Sequence, residues 1–258
     1  MAPPIESLAL LLSGTAASVL GSIVGLGGGF IAVPVLRLFF GFSPELAAAT
    51  SLVLVFANTA SATTTFVRRK RVAFDLAIPV VVAAIPGSVA GALLASHVSS
   101  QVFDLLYAAM LTLLAFDILR RAKGRDAAEL AVRDIAGSRP SIGGWLGAGV
   151  LIGLVSSLFG IGGGVIAVPL LMYFTKRPLQ AITATSTAII ALTAPVGIIV
   201  YALAHEIQWV PALTLGAGGL AGGVIGARLA SRISSGQLSL LLAAAMLAAA
   251  AAMVLRHR

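Results

Sequence analysis

The chain has 258 residues, of which 59% are hydrophobic and only 10% are charged. A soluble domain carries about 25% charged residues, so the composition excludes a soluble globular protein and indicates a polytopic membrane protein. The absence of cysteine excludes a disulfide framework, a thiolate metal site and a catalytic thiol. The formal net charge of +8 does not indicate nucleic-acid binding, because the basic residues cluster between apolar runs, as they do in cytoplasmic loops.

Eight apolar segments follow one another along the chain, which predicts an all-α polytopic membrane protein. A single crossing needs about 20 residues, and six of the segments have about that length. The first and fifth segments are markedly longer, and each contains a glycine-rich interruption. Because the first residues carry no positive stretch, we expect the first segment to stay in the membrane rather than to be a cleaved signal peptide. The segments cover residues 7–40, 44–66, 73–95, 101–119, 142–174, 179–204, 209–230 and 236–255.

The glycine-rich interruption occurs twice. The sequence GLGGGFIAVPVL at residues 25–36 returns as GIGGGVIAVPLL at residues 160–171, with nine of the twelve positions identical. We call the spacing from Gly25 to Gly160 the repeat offset; it also aligns the Ala-Thr-Ser of residues 49–51 with that of residues 184–186. We therefore predict two homologous four-helix repeats, with about eight transmembrane helices in all. The first helix of each repeat is expected to be broken at the glycine-rich motif.

This period divides the chain into a first membrane repeat at residues 1–120, a cytoplasmic linker at 121–140 and a second membrane repeat at 141–258. If each segment crosses once, both termini are cytoplasmic and 12 of the 17 basic residues lie on the cytoplasmic side. If each long segment instead folds into a hairpin, the halves are inverted and 14 basic residues lie inside. We favour eight crossings, because the long segments are short for two crossings and a turn; a partial re-entrant fold stays open.

The glycine triplets are the first candidate binding residues. Glycine frees the backbone to leave helical geometry, and exposed N–H groups can then form a concavity that binds an anion. A helix that restarts after the break adds the positive end of its dipole. The alternative is close helix packing, which is our interpretation of the GxxxG pairs elsewhere in the chain. The predicted cradle residues are Gly27, Gly28, Gly29, Gly162, Gly163 and Gly164.

Hydroxyl and amide side chains recur just after each break. Thr50 and Ser51 correspond to Thr185 and Ser186 at the repeat offset. Such hydroxyls can donate to an oxyanion, or they can bond back to the preceding turn of their own helix. Asn58 lies two turns further along and offers an amide N–H₂ group, either to a substrate or to a neighbouring helix.

Two arginines near the ends of apolar segments are further candidates for substrate contact. Arg37 ends the first long segment and Arg228 lies near the end of the seventh. Arginine at membrane depth is a functional candidate by default, and its guanidinium suits an oxyanion. The alternative is that both side chains extend to the membrane interface.

The sequence shows no obvious residues for enzymatic catalysis. No Asp or Glu falls in the middle of an apolar run, and no histidines have metal-ligand spacing. Neither a catalytic residue nor a metal or other cofactor is therefore expected, and the chain is predicted not to be an enzyme.

The paired glycine–proline segments, each followed by Ala-Thr-Ser, resemble the TauE/SafE family of membrane permeases. The resemblance spans nearly the whole chain, and its two motif segments correspond to Gly25–Pro34 and Gly160–Pro169. It implies a four-helix membrane unit that occurs twice. It also implies the movement, usually the export, of sulfur-containing anions such as sulfite, sulfoacetate and other sulfonates.

These observations predict a secondary transporter, an exporter of small sulfur-containing anions across the bacterial inner membrane, with the anion bound between the two repeats. The expected partners are this anion and the lipid bilayer, and no nucleic acid. Two alternatives are a passive anion channel and a membrane scaffold or sensor subunit that transports nothing. The sequence leaves open which anion is carried and whether the chain forms a homo-oligomer.

Overall fold

The computed structural model describes residues 4–123, 142–175, 177–229 and 235–255. These residues form ten α-helices, and no strand occurs among them. The predicted linker at 121–140 lies outside the described residues, apart from the end of α5. The helices are α1 Pro4–Val24, α2 Gly29–Leu38, α3 Pro44–Arg68, α4 Phe74–Ala95, α5 Ser100–Lys123, α6 Ile142–Phe159, α7 Gly164–Phe174, α8 Leu179–Leu203, α9 Trp209–Leu229 and α10 Ser235–Leu255.

Six of the described helices are long and apolar enough to cross a membrane: α1, α3, α4, α5, α8 and α9. The outward surfaces of these helices carry large apolar side chains such as Ile78, Leu113 and Leu213, all more than half exposed. A soluble protein would bury such surfaces, whereas lipid covers them without cost. The prediction of an all-α, multi-pass membrane protein is thus confirmed.

Helix α9 packs against α1 and runs in the same direction. Gly218 of α9 lies against Leu11, and Gly226, two turns later, lies against Val19. The two contacts advance in the same direction along both helices, as they do only between parallel helices. A Cβ atom added to either glycine would lie 2.5 Å from a carbonyl oxygen of α1, so the absent side chains are what allow the two backbones to approach this closely.

Helix α9 also runs parallel to α3. Gly219 lies against Leu54, and Gly223, one turn later, lies against Asn58. Since α1 and α3 are both parallel to α9, they are parallel to each other. The chain must therefore reverse its direction between α1 and α3, and α2 is the segment that brings it back.

The first long segment therefore forms a re-entrant hairpin, and the prediction that it crosses once is wrong. Gly25, Gly27 and Gly28 all have φ of +82°, in the left-handed region that glycine adopts without strain. These residues turn the chain so sharply that Gly28 lies against Ala17 and Gly21 of α1. Helix α2 has only 10 residues, about 15 Å, so it returns through half a membrane and needs no second full crossing.

The second half of the chain behaves in the same way. Gly160, Gly162 and Gly163 have φ between 68° and 88°, and the short helix α7 follows them. The glycines of α6 pack against α4 as those of α9 pack against α1, with Gly149 beside Val80 and Gly153 beside Ala84. The repeat offset seen in the sequence thus recurs in the backbone conformation.

The helices begin and end at two faces, which we name after residues that lie there. The Ser43 face contains the starts of α1, α3, α5 and α9. The Lys70 face contains the end of α3 and the start of α4, and there Arg177 pairs with Asp75 at 3.1 Å. At the Ser43 face, partial burial raises the pKa of Glu206, and the nearby carboxylate of Glu45 raises it further.

Candidate functional site

The two glycine turns meet in the interior of the molecule. We call Gly25–Gly28 the first glycine loop and Gly160–Gly163 the second. A Cβ atom on Gly164 would lie 2.8 Å from the carbonyl oxygen of Gly25, and one on Gly29 would overlap the carbonyl oxygen of Gly160. The loops therefore touch backbone to backbone, beside residue 55 near the middle of α3.

One serine connects each loop to the other half of the chain. The Ser51 hydroxyl donates to the carbonyl oxygen of Gly160 at 2.9 Å, and the Ser186 hydroxyl donates to that of Gly25 at 3.4 Å. Both serines are fully buried. Sequence analysis predicted that these hydroxyls donate to an anion. The structure places them at the loops, but each hydroxyl donates its proton to a backbone carbonyl oxygen.

The N-termini of α2 and α7 approach the loop contact from opposite faces. The residues just before them, Gly28 and Gly163, are left-handed caps whose carbonyl oxygens accept bonds from N–H groups of the first turns. Among the described residues, the N–H groups of Gly29 and Gly164 have no hydrogen-bond acceptor. Two positive helix ends thus converge in the apolar interior, where a negative charge would be stabilised.

An amide donor lies close to the first glycine loop. Asn58 is fully buried; its Oδ1 accepts a bond from the Ser22 hydroxyl at 2.5 Å, while its Nδ2 has no acceptor in the described part of the chain. The hydroxyl of Ser18, likewise buried and without a partner there, lies one turn before Ser22 on α1, and the Cβ atom of Ser18 faces Gly222 of α9. A buried donor without an acceptor costs about 1–3 kcal/mol, so these groups favour a ligand that can accept hydrogen bonds.

Sequence analysis did not find the serines of α1 and α6. Ser22 corresponds to Ser157 at the repeat offset, and Ser156 lies beside Gly163. The hydroxyls of Ser156 and Ser157 are buried, and no partner occurs for them in the described ranges. Two signals could have identified these residues: the four-residue spacing of Ser18 and Ser22 places them on one helix face, and Ser22 recurs at the period of the repeat.

Neither predicted threonine forms a hydrogen bond with a glycine loop in the described part of the chain. The Thr185 hydroxyl donates to the carbonyl oxygen of Ala181 at 2.7 Å and accepts from the N–H of Ala73 at 3.0 Å. It therefore ties the turn between α3 and α4 to α8, near the Lys70 face. Thr50 is fully buried, and its hydroxyl has no partner within the described ranges.

The two predicted arginines lie in different surroundings. Arg37 is 3% exposed and forms a two-pronged ion pair with Asp104, in which Nε lies 2.9 Å from Oδ1. Its Nη1 also donates to the carbonyl oxygen of Phe42 at 2.6 Å. It lies eight residues from Gly29, about 12 Å along α2, and its charge is compensated locally. Arg228 is exposed near the end of α9, at the Lys70 face.

Comparison with known proteins supports the assignment that this geometry suggests. The model of the family described as "Sulfite exporter TauE/SafE" matches residues 10–253, which include both glycine loops and all ten helices in whole or in part. The chain belongs to the TauE/SafE family. The family assignment predicted from the paired motifs is thus confirmed, and the protein is a member of a membrane transporter family.

Relatives of this TauE/SafE protein occur in bacteria and archaea. The chain is 29% identical over 237 residues to the "probable membrane transporter protein YunE" of Bacillus subtilis strain 168, covering 84% of this chain and 86% of the relative. It is 27% identical over 202 residues to the "probable membrane transporter protein MJ0441" of Methanocaldococcus jannaschii, covering 76% and 72%. A "probable membrane transporter protein" of Xylella fastidiosa strain 9a5c is 27% identical over 214 residues, covering 83% and 80%. No solved structure matches the chain.

Proposed function

We propose that this TauE/SafE protein is a secondary transporter that exports small sulfur-containing anions, such as sulfite or organosulfonates, across the bacterial inner membrane. The family description supports the substrate class, and the relatives' names support transport. The observation that carries the anion preference is the meeting of two half-length helices, whose positive N-terminal ends converge inside the protein. In transporters, half-helix ends of this kind bind anionic substrate groups.

The proposed binding mode uses hydrogen-bond donors without a fixed positive charge. The proposed donors are the N–H groups at the start of α2 and α7 and the Asn58 amide, which have no acceptor in the described part of the chain. In an apolar interior such donors act more strongly than in water, because the local dielectric constant is low. A full positive charge at this point would hold the anion too tightly, whereas neutral donors let it leave again.

The arrangement of the helices supports a two-repeat mechanism. We propose that the chain consists of two repeats in inverted orientation, α1–α5 and α6–α10, each with its glycine loop and half-helix, and that relative movement of the halves exposes the anion to one face at a time. The export of an anion from a cell with a negative interior releases about 2.3 kcal/mol of free energy per charge per 100 mV. The membrane potential alone would then drive export, without a coupling ion.

Flux measurements with purified protein in proteoliposomes test this function. Sulfite, organosulfonates, sulfate and carboxylates are first ranked by thermal shift, and counterflow of the best ligand is then measured under an imposed potassium diffusion potential. We expect saturable flux and counterflow, with a rate that rises with the potential. Flux without saturation or counterflow would indicate a passive channel, and no flux of any of these anions would contradict the proposal.

Asn58 provides a residue-level test of the same site. In Asn58→Leu, which keeps the number and branching of the side-chain heavy atoms and removes the amide donor, we expect the affinity for the anion to fall about tenfold. Ser96→Ala, at an exposed hydroxyl beyond the end of α4, serves as the control and should leave the affinity unchanged. Equal affinities of the two variants would exclude Asn58 from the binding site.

A further inference from the structure

Helix α2 is held by α5 at both of its ends. At its N-terminus, the Tyr107 hydroxyl donates to the carbonyl oxygen of Gly29 at 3.1 Å. At its C-terminus, Arg37 forms the ion pair with Asp104. Tyr107, Asp104 and Arg37 are at most 3% exposed. A displacement of α2 would therefore separate two buried charges and leave a backbone carbonyl without its donor, both of which are costly.

The side chains of α5 that hold α2 are themselves fixed by aromatic packing. The rings of Phe103 and Tyr107 stack with their centroids 5.7 Å apart, and Phe159, at the end of α6, contacts both at 5.5 and 5.8 Å. The Arg37 guanidinium lies 6.0 Å from the centroid of the Phe103 ring. These rings leave the two side chains of α5 that contact α2 little rotational freedom.

The corresponding positions of the second half carry different residue types. At the repeat offset, Arg37 corresponds to Met172, Asp104 to Ser239 and Tyr107 to Leu242. A methionine and a serine cannot form an ion pair, and a leucine has no hydroxyl to donate to a carbonyl oxygen. The residue types at these three positions therefore cannot reproduce the two contacts that hold α2. Contacts between uncharged side chains separate at lower cost than a buried ion pair does.

Helix α7 is also the less buried of the two half-helices. Pro34 and Arg37 of α2 are buried, whereas their counterparts Pro169 and Met172 in α7 are only half-buried. The next residue of α7, Tyr173, is 57% exposed. The end of α7 that is nearer the Lys70 face therefore has less packing to lose than the corresponding end of α2 when it moves.

We infer that Asp104 and Tyr107 are positioning residues that keep α2 stationary, and that α7 is the half-helix that moves when the site opens. The inference rests on the proposed function, because it assigns the two half-helices of that site different roles. Since α7 runs from the loop contact to the Lys70 face, its displacement opens the site towards that face. The N-terminus of α2 remains at the centre as the fixed part of the anion site.

Amide hydrogen exchange of the full chain in lipid nanodiscs tests the inference without any substrate. We expect the amides of residues 31–38 in α2 to exchange about tenfold more slowly than those of residues 166–173 in α7. The matched variant carries the second-half residue types in the first half, Arg37→Met with Asp104→Ser and Tyr107→Leu. It should exchange in α2 at the rate of α7, with α3 unchanged as the internal reference.

Several results would overturn the inference. They are equal exchange of α2 and α7 in the unaltered chain, slower exchange of α7, and a matched variant whose α2 stays protected. Because the variant removes both members of the buried ion pair together, we expect it to fold. If it does not, Tyr107→Phe and Asp104→Asn with the conservative Asp104→Glu decide the question. The amides of α2 should exchange slowly in Asp104→Glu, as in the unaltered chain, and faster in Tyr107→Phe and in Asp104→Asn.

Flux measurements distinguish a positioning role of Asp104 and Tyr107 from a role in stability alone. If α2 is the fixed part of the site, the matched variant should change the apparent KM of the anion that the proteoliposome assay identifies by about tenfold. A variant that was only less stable would lower the amount of active protein and leave KM unchanged, and that result would count against the positioning role. Failure to find any transported anion would contradict the proposed function but leave the exchange result standing.

Discussion

Lys70 and His205 follow α3 and α8 in a conformation that side chains rarely adopt. Their φ angles are 53° and 58°, in the left-handed region, and each lies two residues beyond the last residue of its helix. The two residues correspond to each other at the repeat offset, as the glycine loops do. Helices commonly end in this way with glycine, because a Cβ atom makes the left-handed conformation costly.

Replacing either residue with glycine should therefore stabilise the protein. For Lys70→Gly and for His205→Gly we expect an increase of about 1 kcal/mol in the free energy of unfolding. The two effects should add, because the residues lie at opposite faces. Thermal unfolding of the purified variants measures this. Ser96→Gly is the control, since Ser96 ends α4 with φ of −70° and should gain nothing; equal shifts for all three variants would contradict the explanation.

For single residues, the sequence indicated which side chains are candidates for the site better than it indicated what those side chains contact. The prediction that Ser51 and Ser186 act as a pair rested on their recurrence, and the structure does place both at the loops. Arg37 could not be assigned in that way. Its partner Asp104 is 67 residues away, has no charged counterpart in the second half, and sits close to the start of an apolar segment. Only the reversal of α2 brings the two side chains together.

The half-helices α2 and α7 depend on glycine at their first residues. The start of each helix contacts the backbone of the other glycine loop, with no space for a side chain. We expect Gly29→Ala and Gly164→Ala to push the loops apart and to reduce stability by about 1–3 kcal/mol each. Unfolding in detergent measures the loss.

A helical glycine with free space around it is the control for these two variants. Gly147 in α6 has no atom within 4 Å of an added Cβ, so Gly147→Ala should be neutral or stabilise the helix slightly. If Gly164→Ala were as stable as Gly147→Ala, close contact between the loops would not be a requirement of the fold.

The sequence predicted the two breaks correctly, because glycine and proline interrupt a helix wherever it lies. The direction of the chain after each break was predicted wrongly. Hydrophobic periodicity reports which residues are buried, and it is the same for a helix that continues and for one that turns back. The difference lies in three positive φ angles in each loop, which glycine permits but does not require.

The whole molecule has an asymmetric distribution of basic residues. At the Ser43 face, the basic residue that the structure describes is Arg37, paired with Asp104. The described basic residues at the Lys70 face include Arg68, Arg69, Lys70, Arg71, Arg120, Arg177 and Arg228. Because basic residues accumulate on the cytoplasmic side, we propose that the Lys70 face is cytoplasmic and that α1 begins on the opposite side. The expectation of cytoplasmic termini depended on eight single crossings.

Single cysteines can test this orientation directly, because the chain contains none. His97→Cys, in the turn between α4 and α5, should react with a membrane-impermeant thiol reagent added to intact cells. Arg69→Cys, at the Lys70 face, should react only after the cells are opened. The opposite pattern would reverse the orientation, and reaction of both cysteines from outside would contradict the separation of the two faces.

The turn at the first glycine loop also determines whether the first half crosses the membrane an odd or an even number of times. Since α1 and α2 together return to the face where α1 begins, only α3, α4 and α5 carry the chain across, and three is an odd number. The second half must then start on the far side, as the proposed inverted orientation of the two repeats requires. Had the four residues of that loop let the chain pass straight through, both halves would point the same way, and the starts of α2 and α7 could never face each other.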